Sequence, residues 1–301
     1  PPYRIGYLSG DYYAHPSSNF LIPLFLGHRR EHFLPIALAN LSESDKITEI
    51  FKSLSPEWID LGGLDDEAAE ARLRKARLDV IVDLSGWTLR NRLRVLARRI
   101  APVQLTAIGA FLTTGVPTID FRVCNTVSDP PGLTEDQYSE TLLRMDGPPA
   151  CYHEMRTIVF SPIQPARING YFTFGFFNHP KKITREMVDQ WTAILAQAPT
   201  ARLKIIGLQH DASHQWLLNQ FDKSGVAERV ELHGRLRIEN YDATLTTVDL
   251  ALDSYPYNGG TTTLETLLAG VPVLTRRGPW SVSRSTLVAL EPLGLSDWAV
   301  D

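Results

Sequence analysis

The sequence predicts an α/β protein with two parallel sheets, each covered by helices on both faces. Short apolar runs alternate with amphipathic helical patterns, and this alternation stops only once, between Gly147 and Gly170. Hydrophobic residues make up 44% of the 301 residues, enough for two cores. Alternation of this kind is typical of parallel strands joined by crossover helices. We therefore expect a lobe over residues 1–150, a linker over 151–169 and a second lobe over 170–301.

The elements of the first lobe follow from apolar runs and the helical patterns between them. Strands are expected at 3–8, 33–39, 57–61, 79–84, 103–108 and 120–124, and helices at 18–29, 44–54, 65–76 and 89–98. The last helix carries arginines from Arg90 to Arg99 among leucines and a valine. We interpret it as a helix with a solvated face.

The second lobe repeats the pattern after the proline-rich linker. Strands are expected at 171–178, 202–207, 230–233, 249–253 and 272–275, and helices at 184–196, 212–221, 239–246 and 262–268. Two such sheets are expected to leave a cleft at the carboxyl ends of their strands, where ligands of open α/β folds bind.

Composition narrows the possible partners and compartments. The net charge of −4 argues against nucleic acid or anionic membrane as a partner. Cys124 and Cys151 are the only cysteines, so we expect neither a disulfide framework nor a cysteine zinc site, and a cytoplasmic location. The chain opens without an initiator methionine, which suggests a piece of a longer protein.

Several common nucleotide and catalytic motifs are absent from the sequence. No two glycines are separated by a single residue, which excludes the dinucleotide fingerprint. There is no Walker loop, no Gly-x-Ser-x-Gly elbow and no Asp-x-Asp pair of the kind that holds a metal against a diphosphate. We therefore predict no metal site and no cofactor, and a bound diphosphate would be neutralised by protein donors.

The most informative segment runs from Val248 to Glu265, where a buried strand meets a glycine turn and a helix rich in threonine. Gly259 and Gly260 allow a sharp turn and a close approach to a ligand. The amides and hydroxyls of residues 261–263 then lie at the positive end of the helix dipole, a site suited to a diphosphate. Glu265 lies one turn further on and could accept both hydroxyls of a ribose. A threonine-capped helix after a turn is the structural alternative.

Short motifs along the whole chain carry a family resemblance. They are Arg4-Ile5-Gly6-Tyr7 with His15-Pro16, Ala101-Pro102-Val103-Gln104, Gln137-Tyr138-Ser139-Glu140, Phe174-Gly175-Phe176-Phe177-Asn178, Lys182-Ile183, and Asn258 through Gly270-Val271-Pro272. In this order they resemble the catalytic region of the protein O-GlcNAc transferase and Spindly family, glycosyltransferase family 41. The resemblance implies the GT-B fold: two Rossmann-like lobes with a cleft between them, the first on the acceptor side and the second on the donor side.

The resemblance also implies a donor site in the second lobe. Thr261 and Thr262 would contact the diphosphate, with Lys182 as a cation beside it. Glu265 stands where the family has an acidic residue on the ribose, and Tyr241 where relatives place a ring against the nucleobase. The remaining donor-site residues implied are Asn178, Gly259 and Gly260.

His15 and Lys182 are the predicted catalytic residues. Lys182 follows a turn after a strand, so we expect it to begin a helix and to reach a phosphate, although a solvated lysine is the alternative. His15 lies in a loop before a helix that Ser17 is expected to cap, and it matches the family's histidine that faces the sugar and the acceptor. Inversion needs a proton acceptor, and His15 is the side chain expected in this role, with a donor phosphate oxygen or water as the alternatives. A structural histidine is the alternative. Residues 109–115 resemble the family's glycine-rich cleft loop.

The resemblance implies inverting transfer of GlcNAc from UDP-GlcNAc to serine or threonine hydroxyls of proteins, with tetratricopeptide repeats upstream. At the position of Gly260, many O-GlcNAc transferases have a histidine, and in this respect the chain resembles the Spindly branch. A protein O-fucosyltransferase that uses GDP-fucose is therefore an alternative. A nucleotide-binding module without turnover and a GT-B epimerase are two others.

Overall fold

The structure is a computed structural model that describes residues 1–109, 111–209 and 212–301. The chain divides into two compact units, Pro1–Met155 and Arg156–Asp301. In the described residues, the strand pairs of both units are parallel. The predicted α/β class with parallel sheets is thus confirmed. The unit boundary lies inside the segment 151–169 that the sequence predicts as a linker.

The first unit is built around a seven-stranded sheet. Its strands are β1 (Tyr3–Ser9), β2 (Phe33–Ala39), β3 (Glu57–Asp60), β4 (Val80–Asp83), β5 (Val103–Thr106), β6 (Phe121–Asn125) and β7 (Thr141–Met145). Its helices are α1 (Ser18–Leu26), α2 (Lys46–Leu54), α3 (Asp66–Lys75) and α4 (Leu93–Leu96). The strand order is β3-β2-β1-β4-β5-β6-β7, so the direction of strand addition reverses between β1 and β4.

The central strands of this unit are buried on both faces. In β2, the five residues 35–39 are all buried. Leu8 and Leu38 belong to one apolar cluster, whereas Tyr7 and Ala37 belong to another. Successive side chains of a strand point to opposite faces of the sheet, so the two clusters lie on opposite faces. Helices therefore cover both faces, as the alternating pattern predicts.

The second unit contains a six-stranded sheet. Its strands are β8 (Thr173–Phe176), β9 (Arg202–Ile205), β10 (Val230–Leu232), β11 (Leu250–Leu252), β12 (Val273–Arg276) and β13 (Ala299–Val300). Its helices are α5 (Pro165–Asn169), α6 (Arg185–Gln197), α7 (Ala212–Lys223), α8 (Ile238–Leu245), α9 (Thr261–Leu268) and α10 (Ser285–Leu290). The strand order is β10-β9-β8-β11-β12-β13, which places the reversal between β8 and β11.

Local capping sets several helix boundaries. Asp45 accepts hydrogen bonds from two amides of the first turn of α2, and Asp65 caps α3 through the amide of Ala68. Thr184 caps α6 in the same way. Helix α1 ends at Leu26, with Gly27 as its C-cap residue, earlier than the sequence predicts. Side-chain oxygens at these positions satisfy first-turn amides that have no partner inside the helix.

The predicted helix over 89–98 is too long, because only the four residues of α4 are helical. Arg90 has a positive φ angle of 64°, which a right-handed helix does not contain, and Arg99, just beyond the predicted end, has one of 50°. Nor does Arg92 lie on a solvated face, since its side chain is only 11% exposed. Its guanidinium contacts Asp66 and donates to Asn40 Oδ1 and to the carbonyls of Leu61 and Leu64. Apolar periodicity indicated a helix here, but tertiary hydrogen bonds determine the backbone.

Four helices and strands of the structure are not predicted by the sequence. Strand β7 has no fully buried residue, α5 has five residues, α10 has six and β13 has two. Elements this short or this exposed produce little apolar periodicity. In the part of the chain that the structure describes, no helix combines the length and the apolar character needed to span a membrane.

Candidate functional site

An aspartate at the carboxyl end of β11 accepts hydrogen bonds from several of the surrounding segments. Five hydrogen bonds converge on the carboxylate of Asp253. Oδ1 accepts from Asn178 Nδ2 at 2.9 Å, Ser254 N at 2.8 Å and Gly259 N at 2.7 Å, and Oδ2 accepts from Thr275 Oγ1 at 2.7 Å and Thr286 Oγ1 at 2.6 Å. Burial raises the pKa of Asp253, and the hydrogen bonds oppose this shift. The carboxylate thus fixes the turn after β11 against three neighbouring elements.

Helix α9 begins directly after this turn, with Gly260 as its N-cap residue. Gly260 has no side chain that could cap the helix, and the amides of the first turn have no acceptor inside a helix. These amides and the helix dipole together favour an anion at this end. Thr263 is buried, and its hydroxyl contacts that of Thr286 at 2.9 Å. Thr261 and Thr262, the pair predicted to contact a diphosphate, are instead partly exposed.

The two glycines before α9 differ in their surroundings. A Cβ on Gly259 would collide with Thr263 Oγ1 and would lie 3.1 Å from Asn178 Oδ1 and 3.2 Å from Asp253 Oδ1. A Cβ on Gly260 would have no neighbouring heavy atom within 4 Å. Packing therefore requires glycine at position 259 and leaves space at position 260.

Lys182 contacts the same turn. It ends a 3-10 turn, Pro180–Lys182, and α6 begins only at Arg185, so the prediction that Lys182 begins a helix is wrong. Its Nζ donates to the backbone carbonyl of Asn258 at 2.7 Å and lies 3.9 Å from the centre of the Tyr257 ring. The ammonium is therefore held beside the segment that leads into α9.

Burial makes the ammonium of Lys182 easier to deprotonate. It lowers the pKa of Lys182 from 10.5 to about 8, and the negative charge of Asp253 opposes the shift. Lys182 therefore still carries most of its positive charge at neutral pH.

Asn178 occupies a position that the topology marks for ligands. It is buried just after β8, and its side-chain amide bonds Asp253 after the neighbouring strand β11. The strand order reverses between these two strands. In open α/β sheets, ligands bind at such a switch point. A small cavity there is lined by apolar side chains and by Asn178, Asp253, Thr262, Thr263 and Thr266.

The two residues predicted to bind a nucleoside lie together. Tyr241 Oη, on α8, donates to Glu265 Oε2, on α9, at 3.2 Å. The Tyr241 ring meets the Phe177 ring edge-on, with centroids 6.0 Å apart. Burial raises the pKa of Tyr241, and Glu265 adds to the rise. Glu265 also forms an ion pair with Arg156, which in turn contacts Asp242 at 2.9 Å.

His15 lies in the first unit, in the loop after β1. Its Nδ1 accepts a hydrogen bond from the amide of Ser17 at 3.2 Å and lies 3.0 Å from Ser17 Oγ. The predicted cap of α1 by Ser17 is wrong, because this side chain makes no cap hydrogen bond. An Nδ1 that accepts leaves the hydrogen of the neutral ring on Nε2. The neutral histidine therefore presents a donor at Nε2.

The predicted glycine loop after β5 is described except for Ala110, which lies outside the described residues. A Cβ on Gly109 would collide with the carbonyl of Leu84, so glycine is needed where the loop passes the end of β4. Glu140 is buried and accepts from the amide of Thr114 at 2.7 Å. The carboxylate thus anchors the loop at Thr114.

Sequence reasoning missed three residues of the site. Asp253 carried a usable signal, because an acidic residue at the end of a buried apolar strand needs several donors. Tyr257 and Arg156 carried none: the first is one aromatic residue in a loop, and the second is one arginine in the predicted linker.

Comparison with known proteins identifies similar sequences. The model of Glycosyl transferase family 41 matches residues 2–149. The chain is 33% identical over 303 residues to the probable UDP-N-acetylglucosamine–peptide N-acetylglucosaminyltransferase SPINDLY of Oryza sativa subsp. japonica, an alignment that covers 98% of this chain and 32% of that protein. It is 24% identical to the probable UDP-N-acetylglucosamine–peptide N-acetylglucosaminyltransferase SEC of Arabidopsis thaliana, over 90% of this chain and 29% of that protein. The chain thus spans about a third of the length of these curated relatives.

Solved structures agree with this fold. An O-GlcNAc transferase mutant from Thermobaculum terrenum matches with a TM-score of 0.92 and 34% identity, over 99% of this chain and 57% of that one. Anabaena HepE, solved in complex with UDP and glucose, matches with a TM-score of 0.56 and 14% identity, over 98% of this chain and 92% of that one. The second likeness concerns the fold alone. The predicted class of two Rossmann-like sheets of the GT-B type is confirmed.

We expect Gly259→Ala to destabilise the second unit by about 2 kcal/mol, since its methyl group would overpack a region that cannot yield without breaking hydrogen bonds to Asp253. Gly260→Ala is the matched control and should cost clearly less, because its methyl group meets open space. Urea unfolding of both variants, followed by circular dichroism, measures the difference. Equal losses would show that backbone conformation and not packing selects the glycines.

Proposed function

The chain belongs to glycosyl transferase family 41, and we propose that it is the catalytic part of a protein O-glycosyltransferase. In the reaction the bond between the anomeric carbon and the diphosphate oxygen breaks, and a bond from that carbon to a serine or threonine oxygen of a protein forms with inversion. The proton of the hydroxyl passes to a phosphate oxygen of the leaving diphosphate or to water. The observation that carries the proposal is the uncapped start of α9, with Lys182 held against the turn that precedes it. A diphosphate leaving group needs this combination of amides and a cation.

The main catalytic effect in this proposal is electrostatic. As the glycosidic bond breaks, negative charge grows on the leaving diphosphate. Thr261, Thr262, the dipole of α9 and the ammonium of Lys182 stabilise that charge more than they stabilise the intact donor. The loss of one such donor would raise the barrier by about 3 kcal/mol, by analogy with oxyanion holes. Because these groups supply the positive charge, we propose a reaction without a resident metal or other cofactor.

UDP-GlcNAc is the donor that we propose, and the names of the rice and Arabidopsis relatives support it. GDP-fucose is the second candidate, favoured by Gly260 and the Spindly-like turn around it. In either case Glu265 would accept the ribose hydroxyls and Tyr241 would face the nucleobase. The acceptor is a protein, and we propose tetratricopeptide repeats upstream that select it.

The direct test offers radiolabelled UDP-GlcNAc and GDP-fucose separately to the full-length protein with a mixture of candidate acceptor proteins. Label on serine or threonine from one donor supports the transferase and identifies the sugar. Nucleotide binding with no transfer from either donor would instead support a binding module. Free sugar isomers formed without an acceptor would support an epimerase.

The affinity for UDP or GDP should fall as the pH rises through about 8. The pKa of Lys182 is lowered to about 8, so its ammonium is present below this pH and is lost above it. We expect calorimetry to show a dissociation constant about tenfold larger at pH 9.5 than at pH 7. Lys182→Arg keeps its charge and should show little pH dependence, whereas Lys182→Met should bind weakly throughout. A fall in Lys182→Met as steep as in the wild type would assign the titration to another group.

His15→Ala should lower kcat by at least about tenfold and leave nucleotide affinity within about twofold. We propose that His15 donates from Nε2 to the sugar or the acceptor hydroxyl, since Nδ1 already accepts from Ser17. His15→Gln retains a donor and should recover part of the rate, whereas His15→Glu should not. Better recovery with glutamate would identify the residue as a proton acceptor, and equal loss of binding and rate would indicate a structural histidine.

A further inference from the structure

Arg156 connects the two helices that carry the proposed nucleoside-binding residues. Its Nη1 lies 2.9 Å from Asp242 Oδ1 on α8, and its Nη2 pairs with Glu265 Oε1 on α9. Asp242 directly follows Tyr241, whose hydroxyl donates to the other oxygen of Glu265. One guanidinium thus sets the spacing between the two helices at the point where Tyr241 and Glu265 meet.

The contacts of Arg156 are shielded from solvent. Side-chain exposure is 27% for Arg156, 14% for Asp242 and 13% for Glu265. An ion pair at this depth is screened less than one at the surface, and removing one partner leaves uncompensated charge behind. Without Arg156, two carboxylates would face each other across the gap between α8 and α9. Their repulsion would move Glu265 away from its present orientation.

We propose that Arg156 is a positioning residue that holds Glu265 for the vicinal hydroxyls of a ribose, and so makes the site select ribonucleotides over deoxyribonucleotides. This inference rests on the proposed function, in which α9 binds a nucleoside diphosphate. A carboxylate can accept about four hydrogen bonds in all, and Arg156 and Tyr241 are two of the donors to Glu265. Planar, forked donation by arginine fixes the plane of the carboxylate as well as its position.

The residue therefore affects one part of the ligand and not the rest. The first-turn amides of α9 and Lys182 would bind the diphosphate whether or not the ribose carries both hydroxyls. A site that is arranged around a hydroxyl discriminates against an analogue that lacks it, because the hydrogen bond that its carboxylate would accept from that hydroxyl is then lost. Loss of Arg156 should remove this discrimination and leave the remaining affinity in place.

The experiment measures dissociation constants for UDP, GDP and their 2′-deoxy forms with the full-length protein. For whichever base binds, we expect the wild type to prefer the ribonucleotide by about tenfold. Arg156→Met should weaken ribonucleotide binding by about tenfold and change 2′-deoxynucleotide binding by less than about twofold. Arg156→Lys keeps the charge but not the fork and should retain only part of the preference. A Glu265→Ala variant should lose the preference too, and adding Arg156→Met to it should cause no further loss.

Arg202→Met is the matched control. Arg202 belongs to the same unit, its Nη1 lies 3.9 Å from Glu231 Oε1, and its guanidinium lies over the Tyr171 ring. Its replacement therefore removes an arginine without changing a contact of α8 or α9. It should leave the ribose preference unchanged.

Nucleotide binding by the wild type tests the proposed function, and the ribose preference tests the role of Arg156. If the wild type binds neither UDP nor GDP, both the proposed function and this inference are rejected. If it binds but shows no ribose preference, or if Arg156→Met keeps the preference or weakens both forms equally, only the role of Arg156 is rejected. Should Arg156→Met fail to fold by circular dichroism, Arg156→Lys decides, and an unchanged preference in that variant overturns the proposal.

Discussion

The site in the second unit depends on the carboxylate of Asp253. Removing a carboxylate from water costs several kcal/mol unless donors replace its hydration. Here the donors come from the segment after β8, the turn after β11, strand β12 and helix α10. Satisfying one buried charge therefore forces four parts of the chain to a common point. The amide of Gly259 is among these donors, so the start of α9 is placed by the same requirement.

The buried carboxylate of Asp253 also acts on the positive charge of Lys182. The negative charge of Asp253 counteracts the effect of burial on the pKa of Lys182 and so helps to keep the lysine protonated. The carbonyl of Asn258 and the ring of Tyr257 hold the ammonium in place. A cation that is already oriented needs little reorganisation when negative charge develops beside it, which is the condition for effective electrostatic catalysis. The inner carboxylate thus supports the outer cation.

Much of the fold could be predicted from the sequence, because buried parallel strands leave continuous apolar runs and the helices between them leave a helical period. The turn at Gly259 and Gly260 was recognisable for the same local reason. What remained hidden depends on distant contacts. Arg156 forms hydrogen bonds with residues that lie 86 and 109 positions further along the chain. No local sequence pattern indicates contacts over such distances. Arg92 shows the converse, since its helical spacing was real while its hydrogen bonds to loops determined the backbone. Two adjacent glycines can likewise look identical in sequence while only one is demanded by packing.

The strand order repeats between the units, since each places its first strand beside its fourth and reverses direction there. The loop with His15 follows the first strand of one unit, and the segment with Asn178 and Lys182 follows the first strand of the other. The architecture thus provides two topologically equivalent positions. In the second, a buried acid holds the turn before a helix that begins at a glycine N-cap, whereas in the first the amide of Ser17 donates to a ring nitrogen of His15. The same strand order thus serves two loops of different chemistry, and the residues that follow each first strand distinguish them.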